Sequence, residues 1–273
     1  VTETNARFAT SLAAFSGFAN SSEHLVEAQE ILAFLKTRHY SKEGGLLRIA
    51  ATGDHRQVRA RGADYAALLN TLLAVYRVDL DPAHLIWARA LVDELLQAHQ
   101  DAPGRIKEAP RSEQIGLLDI YSTSMIFGDS TWGTIYGPLV RLHQLTGSET
   151  YRETAEALRD LQILSLTASG GSREMVHTDF LGSAMIPLAD TIVYLSGAPE
   201  SPELGAMHRI LLNPAYEAVT VLHLRNPLPP GIVAPVASTP TPSARVFSGG
   251  ERRGEASSSA DLEKLLREAL TGG

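Results

Sequence analysis

The same layout occurs three times along this chain: a helix apolar over most of its surface, a short turn, then a helix apolar along one stripe. The copies are ARFATSLAAFSGFANSSEHLVEAQEILAFLKT (residues 6–37), ADYAALLNTLLAVYRVDLDPAHLIWARALVDELLQAH (63–99) and WGTIYGPLVRLHQLTGSETYRETAEALRDLQIL (132–164). Tandem copies constrain a fold strongly, because each unit buries its apolar face only against its neighbours. Every second helix opens on a start signal: Ser22-Glu23, Asp81-Pro82 and Ser148-Glu149 supply a capping side chain, a helix-compatible proline or an acid in the first turn. Ser22 and Pro82 are 60 residues apart, and Pro82 and Ser148 are 66 apart. In that alignment Leu25, Leu85 and Tyr151 fall on equivalent positions, as do Ala28, Ala88 and Thr154.

Leu85, Ala88, Val92 and Leu95 lie on one stripe at helical spacing. Leu68, Leu69, Leu72, Leu73 and Val75 leave the first helix of that pair little room for a solvent face, so it is expected to be buried on both sides. A buried inner helix and an amphipathic outer helix define concentric helical layers. The expected fold is mainly α, with tandem hairpins forming part of an α/α-toroid, although a plain bundle or solenoid shares much of this pattern. The connections at 38–62 and 101–131, rich in Gly, Arg, Glu and Ser, are long enough to be functional or partner-bound loops.

The hairpin region is expected over 1–185 and a small α/β section over 186–273. In the latter, DTIVYLSG (190–197) and EAVTVLHL (217–224) read as strands, and Ser201-Pro202 starts a helix with Leu204, Met207 and Leu211 inward. Residues 227–243 read as a proline-rich linker, and ARVFSGG as a third strand. Ser258 or Ser259 caps a last helix with Leu262, Leu265, Leu266 and Ala269 on its apolar face.

With 273 residues, 44% of them hydrophobic, the chain can bury a sizeable core. The net charge of −7 argues against non-specific nucleic-acid binding. No apolar run reaches the length of a membrane span, so a soluble, cytoplasmic protein is expected. There is no cysteine, which removes disulfides, thiolate metal sites and cysteine nucleophiles together. The chain opens at Val1 without a basic-then-apolar leader, as a processed product, a fragment or a chain whose true start is not shown would.

Several stretches, in order along the chain, resemble the C-terminal half of the thioredoxin-domain-containing proteins related to spermatogenesis-associated protein 20. YSKEGGLLRIA resembles a segment between hairpins, and ADYAALLNTLLAVYRVDLDPAHLIWA resembles the family's Glu-Asp-Tyr hairpin. GDSTWGTIYGPLVRLHQLTGSETYRETAE is similar to its Gly-Asn-Ser hairpin; ADTIVYLSGAPESPELGAMHRILL and DLEKLLREAL are similar to its terminal α/β section. The resemblance implies a six-hairpin, glycosidase-like toroid of the N-acylglucosamine 2-epimerase kind, here without the thioredoxin-like domain and the first hairpins. It also exposes departures. Ala63 stands where the family has Glu, Asp129 stands in place of Asn, and the family's C-terminal cysteine pair is replaced within ARVFSGGERRGEAS. A redox role is lost with them.

A site in such a toroid is expected where inner-helix starts converge. Asp64 and Asp129 are the candidate acid and base for a glycosidic bond or sugar carbon. Tyr65, Ser130, Trp132, His55 and Arg61 are candidate substrate-binding residues, with Trp132 placed to stack on a sugar ring. The plainer role of Asp64 and Asp129 is helix capping, and that of His55 and Arg61 is solvated loop charge. His177, before a possible helix start at Thr178, is equally ambiguous. His24 and His84 hold equivalent outer-helix positions and read as packing or surface residues. No metal-ligand spacing, P-loop, dinucleotide fingerprint or nucleophile elbow is present, so no metal or cofactor is expected.

Two functions follow. The first is a non-catalytic interaction subunit that packs against another chain completing the ring, or against a copy of itself, since an incomplete ring exposes the apolar flanks of its terminal inner helices. The second is a carbohydrate-active isomerase, epimerase or hydrolase.

Overall fold

A computed structural model of the chain describes residues 1–51, 57–113, 131–168 and 190–271. Its three helical hairpins are α1 (Thr2–Ala19) with α2 (Ser22–Arg38), α3 (Gly62–Asp79) with α4 (Pro82–His99), and α5 (Thr131–Thr146) with α6 (Glu149–Ala168). Helices α1, α3 and α5 pack side by side as an inner layer, and each outer helix packs on its own partner. The first two hairpins repeat with a fixed offset: α1 and α3 begin 60 residues apart and end 60 residues apart. Leu68, Leu69, Leu72 and Val75 are fully buried, and the stripe Leu85, Ala88, Val92, Leu95 is buried to the same degree. The expected inner and outer roles therefore hold.

Each inner helix ends on a residue in the left-handed region: Asn20 at φ 53°, Leu80 at φ 55° and Gly147 at φ 67°. Their N–H groups bond back to Ser16, Tyr76 and His143, which closes the last turn and reverses the chain into the outer helix. Asn and Gly adopt this conformation readily. Leu80 is held there by packing against both hydrophobic cores. Of the expected caps, the Asp81 carboxylate accepts from Ala83 N at 2.9 Å. For α2 the capping position is Ser21, one residue earlier than the sequence suggests, and its hydroxyl pairs with His24 Nδ1 at 2.7 Å instead of a backbone N–H.

The connections after α2 and α4 are not plain loops. After α2 come β1 (Tyr40–Ser41), β2 (Gly45–Ile49) and β3 (Val58–Arg59), an antiparallel sheet; after α4 come β4 (Gln100–Ala102) and β5 (Arg105–Ile106). The first two repeat units are thus helix, helix, β-hairpin.

The C-terminal section holds a four-stranded sheet of β6 (Thr191–Ser196), β7 (Thr220–His223), β8 (Ser243–Ser248) and β9 (Glu251–Ala256), in the order β7-β6-β8-β9. Strand β7 runs parallel to β6, and the other pairings are antiparallel. Helix α7 (Pro202–Leu211) and helix α8 (Ser259–Thr271) cover one face, with Leu204, Met207, Leu211, Leu262 and Leu266 in a second core. Strand β9 adds to the three strands expected. Its Glu-Arg-Arg-Gly-Glu-Ala run lacks apolar alternation, because it is an edge whose charges face solvent, joined to β8 through Gly249 and Gly250 at φ +61° and +80°.

The proline-rich stretch is a strap and not a free linker. Ile232 is buried in the main core, Leu228, Ala234 and Val236 pack on it, and Val233 N donates to Leu145 O at 2.9 Å. The second tie between the sections is Arg77 at the end of α3. Its guanidinium donates to the carbonyls of Val219 and Tyr216 at 2.5 Å each and to that of Leu211. Burial, then the neighbouring Arg141 guanidinium, pushes its pKa down to about 9, so it stays charged at neutral pH. No helix of the described residues is long and apolar enough to cross a membrane.

Candidate functional site at the inner-helix starts

Four of the seven candidate residues, Asp64, Tyr65, Arg61 and Trp132, lie within the described residues; Asp129, Ser130 and His55 lie outside them, as does His177. All four belong to one polar belt running across the starts of α1, α3 and α5.

Asp64, in the first turn of α3, is 0% exposed. Its Oδ2 accepts from Arg61 N at 2.9 Å and from Arg48 Nη1 at 3.0 Å, and its Oδ1 accepts from Glu3 N in the first turn of α1 at 3.0 Å. One carboxylate therefore caps two helices and neutralises an arginine reaching over from β2. This is the capping role in an extended form. Arg48 also lies 3.5 Å from the Glu3 carboxylate. Next along the belt, Glu108 accepts from Ala63 N at 3.3 Å and from the Thr131 hydroxyl at the start of α5, while its own carbonyl accepts from Gly62 N at 3.0 Å. Arg61 occupies the capping position of α3 with its guanidinium 3.7 Å from Glu113. Trp132 is 6% exposed, and its indole N–H donates to Ile106 O at 2.7 Å. Its ring is core, with no open face for a sugar.

Tyr65 is placed differently. Its hydroxyl donates to Glu94 Oε1, which also accepts from Leu46 N at 2.9 Å, and its ring meets His99 edge-on at 5.2 Å. Burial, then the bond to Glu94, raises the phenol pKa well beyond its usual value. These residues line a cavity of about 410 Å³ beneath the β1–β2 turn, with Leu46, Arg59 and Pro110 among its other walls. A volume of several hundred Å³ with polar groups converging on it suits a small polar ligand.

Two buried histidines that the sequence reading did not single out complete the belt. His39 and His99 stand at the ends of α2 and α4, 60 residues apart like the helices themselves. The backbone bonds repeat with them: Leu47 N donates to His39 O at 2.8 Å and Lys107 N to His99 O at 3.0 Å. His99 Nδ1 lies 3.0 Å from the Lys107 carbonyl, which can only accept, so that nitrogen carries the proton. Thr2 Oγ1 donates to Leu47 O at 2.5 Å and accepts from His39 Nδ1 at 2.9 Å. Burial lowers the pKa of both rings, that of His99 to about 4. The 60-residue offset was the signal available in the sequence. It is the offset that pairs His24 with His84, which are indeed packing residues: His24 meets the Phe15 ring at 4.8 Å and His84 contacts Asp79 at 3.0 Å.

No protein-family model matches the chain, and no curated protein is significantly similar to it. Among the described residues no group of three His, Cys, Asp or Glu side chains is arranged to hold a metal ion.

Proposed function

We propose that this chain is an interaction subunit, a partial helical toroid whose α1 flank packs against a protein partner. One observation carries the reading. Phe8, Phe15 and Phe18 project from α1 at 59%, 49% and 70% exposure, on a single helical stripe that also includes exposed Val1. Val26 and Phe34 of α2 are exposed beside it in the chain. An aromatic stripe of this kind is costly to leave in water and marks a binding face. The polar groups at the inner-helix starts support the same reading, since Asp64, Glu108 and Arg61 hold helices together. The motif resemblance to the toroid half of the thioredoxin-domain-containing proteins would agree with it, because a partial ring leaves a terminal flank open.

Sedimentation velocity tests the proposal. The chain is expected to self-associate as its concentration rises, and the triple variant Phe8→Ser, Phe15→Ser, Phe18→Ser to remain monomeric with an unchanged circular dichroism spectrum. Indistinguishable sedimentation of the two proteins contradicts it.

The cavity at Tyr65 favours a second reading, a carbohydrate-active enzyme. Asp64 is committed to capping, so an acid or base there falls to Glu94, whose carboxylate lines the cavity. This reading expects saturable binding of a mono- or disaccharide, lost in Glu94→Gln and Tyr65→Phe. Failure of a broad sugar panel in ligand-observed NMR removes it.

A further inference from the structure

The repeat itself specifies what covers α1. Inner helices α1 and α3 meet through two stripes of different character. On α1 the stripe is small: Thr10 Oγ1 lies 3.0 Å from Thr71 Oγ1, the Ala6 carbonyl accepts from Thr71 at 2.8 Å, and Gly17 faces Val78, whose Cγ2 lies 3.5 Å from where a Cβ would stand. Ala13 falls between Thr10 and Gly17 on that face and is fully buried. On α3 the stripe is Leu68, Thr71, Val75 and Val78, at i, i+3, i+7 and i+10. Moved back by the 60-residue offset of the helices, those four positions are Phe8, Ser11, Phe15 and Phe18. The exposed stripe of α1 is therefore the repeat equivalent of the buried stripe with which α3 receives α1. The next junction keeps the phase: Asn70, the equivalent of Thr10, donates to Thr134 O of α5 at 2.8 Å.

We infer that the α1 flank, read as a docking face above, receives an apolar helix belonging to another helical hairpin, with small residues at i, i+4, i+7 and i+11. Size complementarity sets that composition. Phenylalanines at 8, 15 and 18 are larger than the Leu, Val and Val at the equivalent α3 positions, so helices at ordinary interaxial distance need Gly, Ala, Ser or Thr opposite them. Among the described residues a second copy of this chain offers only its own aromatic stripe, so copies associate face to face with no small stripe between them. Its own small stripe, Ala6, Thr10, Ala13 and Gly17, is covered by its α3 and, at Gly17, also by Leu212. The far end of its array meets the C-terminal section, where Gln144 of α5 accepts from Thr220 and Arg141 donates to Glu217 O at 2.8 Å. The occupant is thus a hairpin supplied by a different polypeptide segment, continuing the array by one more unit.

The probe is a stapled helical peptide with the α1 sequence, residues 2–19, in which Phe8, Phe15 and Phe18 are replaced by Lys so that only the small stripe remains. Its control carries Leu at positions 6, 13 and 17. Added to the full chain, the labelled probe is expected to bind saturably by fluorescence anisotropy and to return the self-associated chain to monomers in sedimentation. The control, and the probe with the triple Phe→Ser chain, are expected to bind at least tenfold more weakly. Equal binding of probe and control, or a discrete dimer that the probe does not dissociate, overturns the inference. In that case the docking reading stands as long as the Phe→Ser chain still fails to associate. If those substitutions leave association unchanged, the docking reading falls with it.

Discussion

At Asp64 three donors from two helices and a strand converge on one buried carboxylate. Removing its charge leaves Arg48 without its shorter ion pair and weakens two helix starts at once. Asp64→Asn is expected to lower stability by about 2–3 kcal/mol, measured by urea denaturation, as for other buried charge-assisted networks. Arg77 is the complementary case, a buried cation held by carbonyls. Arg77→Met keeps the aliphatic stem but withdraws a donor shared by three carbonyls, and about 3 kcal/mol of stability is expected to go with it. The histidines give a pH signature. An unfolded chain protonates His39 and His99 near pH 6.5, whereas the fold holds them neutral, His99 down to about pH 4. Below pH 6.5 the unfolded state binds protons that the folded state does not, so this contribution is complete above pH 6.5 and is lost as pH falls toward 4. Denaturation midpoints are expected to drop between pH 7 and pH 5, and His99→Gln, which keeps a donor for the Lys107 carbonyl, is expected to flatten that slope.

The helices were legible because their periodicity is strong and their neighbours are repeats of themselves. Leu68, Leu72 and Val75 announce burial on both sides of α3, and the final helix lies where its cap and leucines predict. The β-hairpins after α2 and α4 were not legible, since their strands are two to five residues long and carry no alternating run. Their place is fixed by tertiary contact. Gly104 turns β4 into β5 at φ +75°, where a Cβ would stand 2.7 Å from Leu158 N and 2.8 Å from the Ala157 carbonyl carbon of α6. Backbone on one side and an unfavourable φ on the other leave no room to adjust. Gly104→Ala is expected to cost about 2–3 kcal/mol in urea denaturation. Strand β9 escaped notice for the reason that protects it, its exposed charge. The candidate site divides along the same line. The acids at inner-helix starts were visible as a pattern, but capping and acid–base chemistry select the same residues, and only the donors around Asp64 separate them. The Tyr65–Glu94 bond joins α3 to α4 across the hairpin, so no spacing within either helix reveals it.

Among the described residues the three hairpins form a layered array that meets the C-terminal section at its α5 end and presents exposed aromatic residues at its α1 end. At the α5 end the C-terminal sheet and the strap through Ile232 supply the cover. At the α1 end the surface that α3 buries is presented in aromatic form to solvent. Native-state hydrogen exchange on the monomeric chain at low concentration tests this asymmetry most directly. The amides of α1 are expected to exchange by local opening, at least tenfold faster than those of α3, and to slow toward the α3 rate when the small-stripe peptide is bound. Protection of α1 equal to that of α3 in the free monomer, or unchanged by the peptide, would contradict an open, repeat-matched flank.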